Sequence, residues 1–207
     1  MPMLRTWIAI LGAAAVTGAL VFSQTAHARA PITLTVAQAS GECSVSWKKE
    51  GVAFKALTPG SGPSSFAFSD LVGTVSADLA YANDPVLLAR SISITATFKG
   101  GFTLTDGSGH SLQISDGQGT FPFGGSSYLV KTTANPAGTR IPVYTYADLP
   151  LPAPGIPSLL PPKVNVKITD AKVNVTPEFA NALNDTFGSG TAESGTPFGS
   201  CSGTATT

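Results

Sequence analysis

Charge is scarce in this chain. Only 12% of its 207 residues are charged, cations and anions balance at twelve each, and no basic run occurs. Binding to a phosphate backbone needs clustered cations, so nucleic acid is not an expected partner. Histidine is scarcer still, with only His27 and His110, which leaves little for imidazole catalysis. No Gly-x-Ser-x-Gly elbow stands at a strand-to-helix junction, and Gly107-Ser108-Gly109 falls within a turn. Asp106 and Asp116 could serve as paired carboxylates, but aspartate beside glycine is the ordinary residue of turns. No zinc, calcium or phosphate-cradling motif stands out. These shortages predict a protein that is not an enzyme.

Cysteine is limited to Cys43 and Cys201, one towards each end. Their compartment is suggested by the N-terminus. Arg5 precedes an apolar run from Trp7 to Phe22, and Ala26-His27-Ala28 supplies the small residues of a cleavage site. Residues 1–28 therefore read as a secretory signal peptide. The run is shorter than the roughly 20 residues that span a bilayer, and no cationic stop follows it. No transmembrane anchor is expected after cleavage, and no cysteine near the cut could carry a lipid. Export places both thiols in an oxidising compartment, where a Cys43–Cys201 disulfide is the economical pairing. Residues 29–207 suffice for one sizeable core and are expected to form a single secreted domain.

What the chain has in quantity is alternation. Ser91 to Phe98 places Ile92, Ile94, Ala96 and Phe98 on one face and hydroxyl residues on the other, the period of a half-buried strand. Phe102 to Thr105 resumes after Gly100-Gly101, and His110 to Ser115 follows the turn Asp106–Gly109, with His110 in phase with Leu112 and Ile114. Asp116-Gly117 looks like another turn, and Thr120 to Phe123 like a short strand that Pro122 consigns to an edge. Strands are also expected over 32–36, within 43–57 and within 64–82, and on both sides of a turn at 135–138. Lys48 to Gly51 suits a turn or a short helix. Tyr144 and Tyr146 share a face, and Pro142 suggests an edge there too. Asn83-Asp84-Pro85 can start a short helix or make a plain turn.

Leu149 to Pro162 spaces prolines among Leu151, Ile156, Leu159 and Leu160, which suits neither a central strand nor a regular helix. It reads as a linker over one end of the fold or as an apolar lip. Alternation returns over 163–175, with a turn expected at Thr169-Asp170. Thr176-Pro177-Glu178 then opens a helix with an apolar stripe of Phe179, Ala180, Leu183 and Phe187, ended by Gly188. The fold class is all-β: an antiparallel β-sandwich or flattened barrel with one C-terminal α-helix.

Two stretches carry a family resemblance. Phe102 to Gly117, with Gly109-His110-Ser111-Leu112-Gln113-Ile114-Ser115-Asp116, resembles part of the HtaA-type haem-binding domains of actinobacterial cell-surface proteins. Lys172 to Gly199, a strand running into the Thr176-Pro177-Glu178 helix and a Gly-Thr-Pro close, is similar to the end of such a domain. Trp47 matches a tryptophan near the family's start. The resemblance implies a secreted or envelope-associated module whose haem iron is held by a tyrosine with a histidine hydrogen-bonded to it. His110 matches that histidine. The family's tyrosine follows the tryptophan by about nine residues, whereas Phe54, Ala56 and Leu57 stand here; Tyr81, Tyr128, Tyr144 and Tyr146 are the remaining candidates. Two functions follow as expectations: binding of haem or another flat apolar ligand, or a contact role with a partner in the cell envelope.

Overall fold

The computed structural model describes residues 31–121, 124–148, 152–159 and 161–207. The expected leader, Pro122, Phe123 and the start of the proline-rich segment lie outside the described residues. Thirteen strands form one antiparallel sheet. They are β1 (Ile32–Thr35), β2 (Gln38–Val45), β3 (Val52–Ala56), β4 (Ser65–Ala67), β5 (Ser69–Ala77), β6 (Ser93–Lys99), β7 (Phe102–Asp106), β8 (Ser111–Phe121), β9 (Gly125–Thr132), β10 (Thr139–Asp148), β11 (Ala153–Leu159), β12 (Pro162–Val175) and β13 (Pro197–Thr206). Hydrogen bonding runs in the order β1-β5-β6-β8-β9-β10-β12-β13-β2-β4, with β7 on β8, β3 on β7 and β11 on β12 off this path. The ladder is unclosed. Its two ends nevertheless meet, because β1 runs directly into β2 and β4 into β5, so the sheet curls into a flattened barrel.

Several strands are longer than local patterning suggests, because aspartates bend them without ending them. Asp70, Asp116 and Asp170 are the only non-glycine residues with positive φ among those described, at 49°, 50° and 56°. Each sits at a register shift: between Ser69 and Val72, between Ser115 and Gln118, and between Ile168 and Ala171. Aspartate tolerates the left-handed region in a bulge as readily as in a turn. The turns expected at Asp116-Gly117 and Thr169-Asp170 are therefore bulges, and β8 and β12 continue through them for 11 and 14 residues. Two edge assignments change with them. β8 lies between β6 and β9, and β10 between β9 and β12. Pro142 is accommodated inside β10 by a register shift against β9, where a missing donor costs little.

The proline-rich segment is neither linker nor lip over its described part. It forms β11, which pairs with β12 alone, the edge position that proline permits. Lys48 to Gly51 is a turn. Asn83-Asp84-Pro85 does start a helix, α1 (Pro85–Ser91), with the Asp84 carboxylate accepting from the Val86 and Leu87 amides. The expected C-terminal helix is α2 (Pro177–Phe187). Thr176 Oγ1 accepts from the Phe179 amide, Pro177 stands in the first turn, and Gly188 ends the helix at φ 97°. Its buried face, Phe179, Ala180 and Leu183, packs on β10.

The apolar interior divides in two. A larger cluster gathers Phe66, Phe98, Phe102, Tyr128, Tyr144, Phe198 and the α2 stripe, while a smaller one gathers Val75, Ala77, Leu88, Ile92, Val164, Val166 and Ala205.

Candidate functional site

Between the two clusters lies a cavity of about 130 Å³, the lumen of the curled sheet. Phe68, Phe98 and Tyr146 line it from one side, Ile94, Val166 and Ala205 from the other. Protein interiors ordinarily close such gaps. Here small residues hold it open: Gly41, Ala96, Gly119, Ala171 and Gly203 stand where larger side chains would fill it.

Tyr144 and Tyr146 line its wall, and Tyr128 stands behind Tyr144. Tyr128 and Tyr144 are fully buried and hydrogen-bond each other through their hydroxyls. The Tyr144 hydroxyl also lies 3.7 Å from Cys43 Sγ and 4.0 Å from Cys201 Sγ. Those cysteines face each other in register across β2 and β13 and are joined as a disulfide, the pairing expected from their number and compartment. Burial pushes the pKa of Tyr128, Tyr144 and Tyr146 upward, and crowding of the phenols adds to the rise for Tyr128 and Tyr144. The Ser126 hydroxyl opposes the rise at Tyr144 and Tyr146. All three phenols are neutral at neutral pH, and the lumen that Tyr144 and Tyr146 line is uncharged.

His110 stands elsewhere. It is exposed at the β7–β8 turn, with Nδ1 2.9 Å from Asp106 Oδ2. Asp106 Oδ1 accepts from the Ser108 and His110 amides. The groove beside His110, about 360 Å³, runs between α2 and the β9–β10 hairpin, past Asn135, Ile141, Glu178 and Asp185, and no tyrosine lines it. Tyr81 is in a third place, 39% exposed on a single 3-10 turn before α1. The fold thus gathers Tyr128, Tyr144 and Tyr146 and separates them from His110 and Tyr81.

The hydrogen bond from His110, with the two amides, lowers the Asp106 carboxyl below its ordinary 3.8. A lowered folded-state pKa adds stability that is present above the unfolded value and lost as pH falls through the folded one. Asp106→Asn should therefore cost stability above about pH 4, with its unfolding curves converging on the parent's as pH falls further. A difference that persists unchanged down to pH 2 would show that the carboxylate contributes nothing through its charge.

The structure is that of a curled antiparallel β domain with a disulfide-braced wall and an apolar lumen. Its fold is similar to the crystal structure of the C-terminal domain of HtaA from Corynebacterium glutamicum, at a TM-score of 0.50 and 16% identity, over 84% of this chain and 98% of that one. No family model matches the chain, and no curated protein does. The likeness shows the fold, in agreement with the resemblance read from the Phe102–Gly117 and Lys172–Gly199 stretches. The residues do not fit a haem held by a tyrosine with a histidine behind it. β3, which follows Trp47, presents Phe54 against Phe102 at 5.1 Å where a phenol would be needed, and His110 bonds Asp106 instead.

Proposed function

We propose that the chain is an exported, non-enzymatic binding module that takes a small apolar ligand into the lumen of its curled sheet. The observation that carries this reading is the apolar cavity dividing the core. An apolar cavity of roughly 150 Å³ stays free of water and accepts benzene, and the lumen is close to that size at about 130 Å³. Water gains little in a space with so few polar partners, whereas an apolar guest gains contacts on every side. Tyr146 and Ser126 supply the polar groups that orient a guest, in the manner of mostly apolar sites with a few placed donors. Export is supported by the leader-like N-terminus and the disulfide. Among the described residues no helix is long and apolar enough to cross a membrane, and the HtaA-like fold is consistent with a module at the cell surface.

Fluorobenzene titrated into the protein and followed by fluorine NMR should show saturable binding. Ala96→Leu places a larger side chain in the lumen and should abolish that binding while circular dichroism stays unchanged. Absence of saturable binding by the parent would overturn the proposal. So would haemin binding with a sharpened Soret band lost on Tyr146→Phe, which would restore an iron site.

A further inference from the structure

We infer that the lumen is reached through a slit in the sheet between β2 and β5, and that its natural guest is the hydrocarbon tail of a free single-chain amphiphile; this rests on the lumen reading above. The slit is visible in the register. β1 pairs with β5, Ile32 facing Ala77 and Thr35 facing Thr74. β2 pairs with β4, Glu42 facing Ala67 and Ser44 facing Ser65. Because β1 continues into β2 and β4 into β5, these are two ends of one antiparallel pairing in a single constant register. The bonds from the Val36 amide to the Gly73 carbonyl and from the Phe68 amide to the Gly41 carbonyl, 2.9 and 2.8 Å, belong to the same register and bracket its middle. Between those brackets no ladder joins residues 37–40 to residues 69–72.

The interruption has a cause. Asp70, at φ 49°, bulges β5 there, and β5 shifts register against β6 between Ser69 and Val72. An ion pair with Lys99 at 3.6 Å lies on the bulge. A bulge re-aims its strand locally, and here β5 forms no ladder with β2 across it. The lumen reaches this gap, since Ser40, Gly41, Phe68 and Leu71 all line it. Gly41 is needed at the rim: a Cβ there would come within 2.8 Å of the Phe68 ring. Outside stands Val72, which at 64% is the most exposed of the large apolar residues described.

The geometry sets the class of guest. β2 and β5 stay within 8 Å of each other between Cα atoms across the unladdered stretch, so the opening is narrow and admits only a slender group. A flat macrocycle cannot pass, and a two-chain lipid is too broad. A single alkyl chain fits: its end fills the uncharged lumen, its middle lies in the slit, and the part outside runs over Val72 while its polar head stays in water.

A closed cavity and a slit-opened one respond differently to chain length. Displacement of fluorobenzene by n-alkanols from butanol to dodecanol distinguishes them. A closed lumen of this size holds about six carbons, so affinity would level off near hexanol. With the slit, affinity should keep rising beyond hexanol by up to about fourfold per methylene. Val72→Lys, at an exposed site, should flatten the series beyond hexanol and leave fluorobenzene binding unchanged. Vesicles of a two-chain phosphatidylcholine should not compete. A plateau at hexanol with short alkanols still bound, no effect of Val72→Lys on the series, or competition by the vesicles would each overturn the slit and the single-chain guest while leaving lumen binding intact. Failure of fluorobenzene and every alkanol to bind would overturn both readings.

Discussion

Replacing both cysteines, as Cys43→Ala with Cys201→Ala, should lower the free energy of unfolding by up to about 5 kcal/mol. The bridge spans 158 residues, nearly the whole described chain, and a cross-link between distant positions removes the most freedom from the unfolded state. Its place in the fold adds to this. Cys43 and Cys201 pair directly across β2 and β13, the two strands that bring the end of the chain back to its start. The bridge also stands against the Tyr144 hydroxyl, so its removal opens space beside a buried polar pair. Urea unfolding followed by circular dichroism measures the effect, and the slope against urea should rise because an uncrosslinked unfolded chain exposes more surface. A loss under about 1 kcal/mol would show that the unfolded chain is already compact without the bridge.

The parts of this fold legible in the sequence are those set by nearest neighbours. Alternation identifies the interiors of β6, β7 and β12, and the Thr176-Pro177-Glu178 cap marks the start of α2, because both depend on residues within one turn or one pleat. What local pattern could not decide was whether an aspartate ends a strand or bends it. Asp116 and Asp170 adopt the same left-handed conformation in either case. The choice is made by partners distant in sequence: β6 and β9 lie on either side of β8, and β10 and β13 on either side of β12. Pro142 misled in the same way, since a bulge in β10 itself, with Val143 as the extra residue against β9, removes the need for its missing donor. Tyr128, Tyr144 and Tyr146 are legible as candidates but not as a group, and their separation from His110 follows from the curl of the sheet. The lumen had a faint signal in the small residues Gly41, Ala96, Gly119, Ala171 and Gly203 within strands. Glycine and alanine in strands have many causes, and only the curl that brings β1 and β2 round to β5 and β4 makes these five line one space.

Phe102→Ala should be the most damaging single truncation in the larger cluster, costing about 3–5 kcal/mol. Phe102 is fully buried at the start of β7, paired with Ile114 on β8 and Ala56 on β3. Its ring meets Phe54, Phe66 and Phe198 at 5.1, 5.5 and 5.9 Å between centroids. Phe198 in turn meets Phe179 of α2 edge-on at 5.5 Å. One ring therefore ties β3, β4, β13 and, through Phe198, the helix to the sheet. Truncation removes both its own burial and the aromatic contacts of three neighbours. The surroundings cannot collapse easily, because Gly101 beside it approaches the Ile114 carbonyl so closely that a Cβ would stand 2.1 Å away. Phe102→Leu keeps most of the volume and should cost roughly 1–2 kcal/mol. Phe102 does not line the lumen, so fluorobenzene should bind the folded Phe102→Ala protein as it binds the parent. Denaturant unfolding and the fluorine titration together read the two effects. A loss below about 1 kcal/mol would mean that the neighbouring rings close the void, and a matching loss of fluorobenzene affinity would mean that the cluster and the lumen are one compartment rather than two.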